Sequence, residues 1–154
     1  MTRRLDILMV THHKRFKADG RSGSMAESLV RRGHEVTLVV TSNDRRRGTA
    51  VSTSNGVRVV EAPDLLWGRL RSGWDLWGLA NRMMFLRKDG RRYDLIHCFE
   101  TRPATIYPAL DLVGRRRLPL VTDWNDWFGR GGLISISRPG WYRLLFERIE
   151  TYYE

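Results

Sequence analysis

The sequence predicts an α/β fold with a doubly wound, mostly parallel sheet and helices on both faces. Residues 5–10 and 36–40 form two near-continuous apolar runs, which are typical of strands that are covered on both faces. A short amphipathic helix is expected between them, and later apolar strands alternate with helical segments. Parallel strands need connections of this length, and such connections are right-handed, so the chain is expected to wind as successive β-α-β units.

The first helix is expected over residues 24–32, after a polar, glycine-containing loop that runs to Gly23. Met25 and Leu29 are spaced one helical turn apart and predict an apolar stripe on this helix. Gly33 follows two arginines. Because glycine tolerates the left-handed conformation and cations favour the negative end of the helix dipole, the helix is expected to end there.

The next segment, residues 43–54, is polar and basic, which predicts a surface loop. Asn55 and Gly56 form a turn signal. A third strand is expected to begin at Val57 and to be closed by Pro63, because proline cannot donate a backbone hydrogen bond to a sheet.

Region 64–92 mixes apolar side chains with arginines, and Gly73 is expected to divide it into two helices. The second helix, over 75–88, is expected to turn towards the sheet an apolar face of Leu76, Leu79, Met83 and Leu86. Aromatic side chains left over from this face are Trp67, Trp74, Trp77 and Phe85. Tryptophan beside arginine on a helix is typical of a peripheral contact with an anionic membrane, and the alternative is that these rings complete the core or meet a second domain.

The second half of the chain continues the alternation of strands and helices. Its expected elements are, in order, a strand over 94–99, a helix over 104–114 that contains Pro108, a strand over 118–121 and a final helix over 141–154.

Composition bounds the class of protein. The length of 154 residues favours one domain over 1–154, and the net charge of +10 comes mainly from arginine, which binds phosphate in a bidentate manner. Nucleic acid, an anionic membrane and a phosphorylated substrate all fit this charge, and so does the arginine richness of a high-GC genome. No apolar run is long enough to span a bilayer and no signal-peptide pattern begins the chain, so a cytoplasmic location is expected. The single cysteine, Cys98, lies in an apolar strand and is expected to be a buried, inert thiol.

Residues 32–37 read Arg-Gly-His-Glu-Val-Thr after a glycine-bearing loop and a short helix. This stretch resembles the opening of GT-B fold glycosyltransferases, particularly the retaining family 4, and residues 93–97 and 118–122 fall where that family has its next strands. The resemblance implies a Rossmann-like sheet that forms the N-terminal half of a GT-B fold. It also implies transfer of a hexosyl group from a nucleotide-sugar donor to a glycan or lipid-linked acceptor, with no tightly bound cofactor and no metal.

In the resembled family a second domain holds most of the donor nucleotide, and nothing in these residues resembles that domain. The chain is therefore interpreted as the acceptor-side N-terminal domain, either truncated before the donor-binding domain or working with a separate partner chain. The isolated chain is expected to lack transferase activity. A retaining outcome would follow from the family alone.

Ligands of open α/β sheets bind beyond the carboxyl ends of the strands. After the first strand, the candidate substrate-binding residues are His12, Gly20, Arg21 and Gly23. Glycines allow close approach of a ligand to the backbone, and the N terminus of the following helix favours phosphate. The resemblance implies that Gly20 and Gly23 approach the donor phosphates and the acceptor. The glycine spacing matches neither a dinucleotide-binding pattern nor a P-loop, and His12 and His13 have no third ligand near them in the sequence, so no metal site is expected.

The strongest site signal is segment 122–132, at the end of the fifth strand, while Glu100 at the end of the fourth strand is a candidate to bind acceptor hydroxyls. Asp123 and Asp126 are candidate catalytic residues that position the acceptor or assist its deprotonation. Candidate substrate-binding residues, by hydrogen bonding to sugar hydroxyls or stacking on a sugar ring, are Trp124, Asn125 and Arg130. Many family-4 enzymes have a histidine here. The alternative for Glu100 is a carboxylate that has no role. The alternative for segment 122–132 is a capped turn with Trp124 and Trp127 in the core.

Two other functions remain open from the residues alone: a basic α/β module that binds nucleic acid, and a complete flavodoxin-like domain. The tryptophans are not interleaved with base-reading polar residues on one strand face, so no nucleic-acid partner is expected. A receiver-like domain is disfavoured because Thr11, His12 and His13 stand where an acidic pair would end the first strand.

Overall fold

The computed structural model describes residues 3–14, 16, 20–42, 44–65, 73–124 and 126–153. Two compact units divide the chain, Met1–Thr122 (unit 1) and Asp123–Glu154 (unit 2). The strands are β1 (Asp6–Lys14), β2 (Glu35–Thr41), β3 (Ala50–Ser54), β4 (Val57–Ala62), β5 (Leu95–Phe99) and β6 (Leu120–Asp123). The helices are α1 (Arg21–Arg31), α2 (Leu76–Lys88), α3 (Pro103–Arg116), α4 (Leu133–Ser137) and α5 (Gly140–Tyr153).

The described strands form a six-stranded sheet in the order β3-β4-β2-β1-β5-β6. Pairing of β1 with β2 and β5 is parallel, as is pairing of β2 with β4, whereas β3 runs antiparallel to β4. At the centre of the sheet, Met9 of β1 stands opposite Leu38 of β2 on one side and His97 of β5 on the other. The predicted mostly parallel sheet is confirmed.

Two apolar clusters cover the two faces of this sheet. Alternate residues of β1 point to opposite faces, so Leu8 belongs to one cluster with Leu86 of α2 and Leu112 of α3, whereas Met9 belongs to the other with Ala26 of α1. Helices on both faces, as predicted for a doubly wound fold, are therefore confirmed.

The predicted surface loop over 43–54 is wrong in its last part, because residues 50–54 form β3. This strand pairs with β4 across a turn in which Asn55 and Gly56 have φ angles of 50° and 79°, the positive values that a tight hairpin requires. Val51, Ser52 and Thr53 are all exposed at the edge of the sheet. An edge strand with an exposed valine carries no apolar alternation, so the sequence pattern did not reveal it.

Two boundaries at the start of the chain also differ from prediction. Strand β1 continues to Lys14, so His12 and His13 belong to the strand and not to the following loop. Helix α1 begins at Arg21, so Gly23 lies buried in its first turn and not in the loop before it. At the other end of α1 the prediction is confirmed, because Gly33 has a φ angle of 90°.

The inward face of helix α2 is rotated from the predicted one, although Leu86 is buried as predicted and Leu79 and Met83 are half-buried. Leu76 is 73% exposed, whereas Gly78, Arg82 and Leu86, which are spaced four residues apart, are buried. A buried arginine here is possible because three oxygen atoms accept hydrogen bonds from it, as described below. The predicted helix before Gly73, with Trp67, lies outside the described residues.

The remaining predictions about elements hold with small shifts. Strand β5, helix α3 with Pro108 inside it, strand β6 and helix α5 lie where expected, and the short helix α4 was not predicted. Cys98 is fully buried, and its burial raises the pKa of the thiol to about 12, which confirms an unreactive buried cysteine. Within the described parts of the chain, no helix has the length and apolar composition that crossing a bilayer requires.

Candidate functional site

Three ionisable side chains meet at the carboxyl edge of the sheet in unit 1. His12 comes from β1, Glu100 directly follows β5, and Arg102 is the residue before α3. Because β1 and β5 are parallel neighbours, their carboxyl ends bring these residues together. We refer to His12, Glu100 and Arg102 as the histidine cluster.

The geometry of the histidine cluster holds the imidazole between a carboxylate and a guanidinium. Nδ1 of His12 lies 3.6 Å from Oε2 of Glu100, and Nη1 of Arg102 lies 3.1 Å from Nε2 of His12. Nε of Arg102 lies 3.4 Å from Oε2 of Glu100. Since a guanidinium only donates hydrogen bonds, Nε2 of His12 accepts, and the proton of the neutral ring is on Nδ1, which faces Glu100.

The backbone around this cluster is in an unusual conformation. Glu100 has a φ angle of 66°, a left-handed value that a non-glycine residue seldom adopts. The hydroxyl of Thr105 holds this turn, since it lies 3.1 Å from the carbonyl oxygen of Glu100 and 2.7 Å from that of Arg102. Such a conformation persists only where the surrounding structure holds it, as these two contacts of Thr105 do here.

Gly73 provides the room for the histidine cluster. Its φ angle is 87°, and a Cβ atom at this position would lie 2.9 Å from Cβ of Arg102 and 3.0 Å from Cβ of His12. The amide of Ala104 donates a hydrogen bond of 2.9 Å to the carbonyl oxygen of Gly73, which fixes the glycine against the start of α3. Sequence reasoning treated Gly73 only as a helix divider, because nothing in its local sequence shows which residues approach it.

Arg82 ties the same edge together from inside the protein. Its Nη1 donates to the carbonyl oxygens of Thr11 (2.9 Å) and Ala104 (2.8 Å), and its Nη2 donates to the hydroxyl of Thr41 (2.6 Å). Burial lowers the pKa of Arg82 to about 10, so the group stays protonated at neutral pH. One buried cation therefore joins the ends of β1 and β2 to α3.

The prediction of no metal site at this edge assumed that no third ligand lies near His12 and His13, and this assumption is wrong. His12, His13 and Glu100 each offer a ligand atom, and these atoms lie within 4.8 Å of one another, so a third ligand is close in space. The guanidinium of Arg102 nevertheless contacts both His12 and Glu100 and would repel a cation between them. The absence of a metal stays a prediction.

The predicted glycine-loop residues lie at the start of α1. Gly20 is the residue before the helix, and the amide of Ser24 donates to its carbonyl oxygen over 2.8 Å. Arg21 is exposed at the first helical position, and Gly23 is buried two residues later. Their role in binding donor phosphates stays a prediction.

In unit 2, the predicted site segment presents its aromatic rings to solvent. Asp123 ends β6 and is half-buried, Asp126 is exposed, and Asn125 lies outside the described residues. Trp124 and Trp127 are both exposed, so the alternative of core tryptophans is wrong.

The ring of Trp127 is held against a glycine turn. A Cβ atom at Gly131 would lie 3.6 Å from Cη2 of the indole, and one at Gly132 would lie 2.2 Å from the carbonyl oxygen of Trp127. The amide of Leu133 donates to that same oxygen over 2.8 Å. Only glycine fits at position 132, and Trp127 remains 63% exposed.

Arg130 contacts helix α5. Its amide donates to the hydroxyl of Thr151 in α5 over 2.8 Å, and the residue lines a groove of about 540 Å³ on the surface of that helix. Its predicted contact with a substrate sugar is not tested by this geometry.

Comparison with known proteins identifies the family to which the chain belongs. Residues 21–152 match the model described as "Glycosyl transferase 4-like domain". Among solved structures, the fold is similar to that of sucrose-phosphate synthase from Thermosynechococcus elongatus, with a TM-score of 0.56 and 16% sequence identity, over 96% of this chain and 40% of that chain. The chain thus spans less than half of the length of that enzyme. No curated protein matches the sequence.

Proposed function

Since this chain belongs to the glycosyl transferase 4-like domain family, we propose that it is the acceptor-binding part of an enzyme that transfers a hexosyl group from a nucleotide sugar to a glycan or a lipid-linked acceptor. The family uses nucleotide-sugar donors. A further domain or partner chain holds most of the donor, and the isolated 154 residues lack transferase activity. Neither a nucleic-acid-binding module nor a complete flavodoxin-like domain would account for the family membership.

The histidine cluster is the observation that carries this proposal. Glu100 lies at the carboxyl edge, where ligands of parallel sheets bind, and Nε of Arg102 and Nδ1 of His12 lie 3.4 Å and 3.6 Å from Oε2 of its carboxylate. An oriented carboxylate accepts hydrogen bonds from the hydroxyls of a sugar acceptor without a reorganisation cost at the moment of reaction. Glu100 therefore binds the acceptor, and Arg102 positions Glu100.

The segment at the start of unit 2 carries the other proposed residues, all of which lie within that unit. Asp123 and Asp126 position the acceptor or assist its deprotonation, and an exposed carboxylate such as that of Asp126 is accessible to a hydroxyl. The exposed Trp127 stacks on a sugar ring, and Trp124 contributes a second exposed ring. Asn125 and Arg130 complete the proposed set.

Donor binding in this chain is proposed for the start of α1. The backbone at Gly20 and the exposed side chain of Arg21 lie where the positive end of the helix favours phosphate, and Gly23 is buried in the first turn of that helix. No metal is required in this scheme. The protein is proposed to be cytoplasmic and peripheral at the inner face of the membrane.

The test compares Glu100→Gln with Glu27→Gln in the full-length protein. The two side chains are almost equally exposed, at 14% and 16%, so burial does not separate them. Transfer of radiolabelled sugar from UDP-glucose, GDP-mannose and related donors into glycan and lipid extracts is measured. We expect Glu100→Gln to reduce transfer at least about tenfold and Glu27→Gln to leave it near the parent level. Equal activity of both variants, with unchanged thermal unfolding, would contradict the assignment of Glu100.

A further inference from the structure

Helix α5 exposes a line of apolar side chains. Trp141, Leu144 and Tyr152 are 65%, 79% and 80% exposed, and their spacing with Arg148 places all four on one face of the helix. Ile136 of α4 in the same unit is also 80% exposed. Large apolar side chains that cluster on a surface mark a site of interaction.

The groove beside these side chains is basic. It has a volume of about 540 Å³, and its lining includes Arg130, Arg143, Arg148, Leu144 and Glu147. Arg143 lies 3.4 Å from the carboxylate of Glu147, whereas Arg130 and Arg148 have no carboxylate partner among the residues that the structure describes. Two guanidinium groups are therefore left to attract an external anion.

The groove is held in shape by a short chain of hydrogen bonds. The amide of Arg130 donates to the hydroxyl of Thr151, and this hydroxyl donates to the carbonyl oxygen of Glu147 over 2.7 Å. Arg130 lies before α5 in the chain, and the first of these hydrogen bonds holds its backbone against the same helix that carries Arg148. Arg130 lines the groove together with Arg148. A guanidinium binds a pair of phosphate oxygens in a bidentate manner.

We propose that the side chains of Ile136, Trp141, Leu144, Tyr152, Arg130 and Arg148, the α5 face, dock this protein on an anionic bilayer. The apolar side chains enter the boundary between headgroups and acyl chains, and the groove holds a lipid phosphate. Aromatic side chains favour that boundary, and arginines beside them are attracted by anionic lipids. This docking rests on the proposed function in one respect, since it takes the membrane to be the place where the sugar is transferred.

A bilayer fits this surface better than an RNA does. Both ligands offer phosphates to Arg130 and Arg148, but an RNA backbone leaves Ile136 and Leu144 exposed to water. The face also differs from the region 64–92 that the sequence suggested. There, Trp77 already donates its indole N–H to the carbonyl oxygen of Arg46 over 2.8 Å, so the ring is fixed within unit 1.

Vesicle co-sedimentation of the full-length protein tests the docking surface. Phosphatidylcholine vesicles with and without phosphatidylglycerol are the probes. We expect the protein to bind only the vesicles that contain phosphatidylglycerol. The double variant with Arg130→Gln and Arg148→Gln should bind these vesicles about twentyfold more weakly. Leu144→Asp should weaken binding by a comparable factor. Matched controls are Arg47→Gln with Arg92→Gln, which removes the same charge from exposed positions of unit 1, and Leu76→Asp, which changes an equally exposed leucine of α2.

The outcomes separate the docking surface from general charge and from RNA binding. Equal losses for both arginine pairs would overturn the proposal in favour of net charge. Binding that a structured RNA competes away, and that Leu144→Asp leaves unchanged, would overturn it in favour of nucleic acid. Vesicle binding by a protein that transfers no sugar would contradict the proposed function and leave the docking surface standing.

Discussion

At the carboxyl edge of unit 1 charged side chains lie inside the protein, whereas on the α5 face of unit 2 apolar side chains lie outside it. Arg82 is 1% exposed and bonded to three other elements, while Leu144 is exposed and makes no comparable contacts. A buried polar group costs free energy unless every partner is in place, so the chemistry of the first region is coupled to folding. Exposed apolar side chains carry no such requirement, so the second region can be altered with little effect on stability.

The comparison is tested most strongly at Arg82. In Arg82→Met the volume is nearly kept, but the carbonyl oxygens of Thr11 and Ala104 and the hydroxyl of Thr41 lose their donor. We expect the free energy of unfolding to fall by about 3 kcal/mol, since buried acceptors are left without partners. Urea denaturation followed by circular dichroism measures this. An unchanged midpoint would mean that water reaches these groups and that the edge is not a closed interior.

A smaller effect on stability than that of Arg82→Met is expected at Gly73. An alanine there is strained at a φ angle of 87° and presses on Arg102 and His12, so Gly73→Ala should cost about 2 kcal/mol and lower sugar transfer. The control is Gly48→Ala, which has a φ angle of 68° but no atom within 4 Å of the added Cβ. It should cost about 1 kcal/mol and leave transfer unchanged. Identical stability and transfer of the two variants would show that Gly73 does not provide room for the histidine cluster.

The sequence predicts those parts of the fold in which local pattern and burial agree. Apolar runs in β1, β2 and β5 are buried on both faces, so their periodicity identified them, and the family resemblance read from residues 32–37 is confirmed by the family model. Strand β3 was missed because an exposed edge strand needs no apolar side chains. Arg82 was missed because one arginine in a basic region looks like its solvent-exposed neighbours.

The candidate site was predictable one residue at a time and not as an arrangement. His12 and Glu100 were singled out because each follows an apolar run, but their contact depends on β1 and β5 being neighbours in the sheet. The positions of Arg102 and Gly73 against His12 come from tertiary packing. No short-range pattern records which strand lies beside which.

An intermediate case lies on the surface of unit 1. Asp111 accepts hydrogen bonds from Nε (2.9 Å) and Nη2 (2.8 Å) of Arg87 and from Nε of Arg115 (3.1 Å), and these guanidinium groups lower the pKa of its carboxyl to about 2. A lowered pKa means that the carboxylate stabilises the folded state above the ordinary value of 3.8 and that this stabilisation is lost as the pH falls towards 2. Asp111→Asn should therefore cost about 1 kcal/mol at neutral pH, since solvent screens part of the attraction, and nothing at the acid end.

Thermal unfolding across this pH range measures the effect of Asp111→Asn. Asp126→Asn is the control, because Asp126 is exposed and has no ion-pair partner among the described residues. A cost for Asp111→Asn that did not change with pH would show that packing of the side chain, and not its charge, stabilises α2 against α3.

The smallest effect on stability is expected on the α5 face, and a leucine in each region makes the comparison direct. Leu86 is 1% exposed in the core of unit 1, so Leu86→Ala should lower the free energy of unfolding by about 3 kcal/mol. Leu144 is 79% exposed, so Leu144→Ala should change it by less than about 0.5 kcal/mol while weakening vesicle binding. A cost at Leu144 near that at Leu86 would mean that folded protein already covers the α5 face, in which case a lipid bilayer could not reach it.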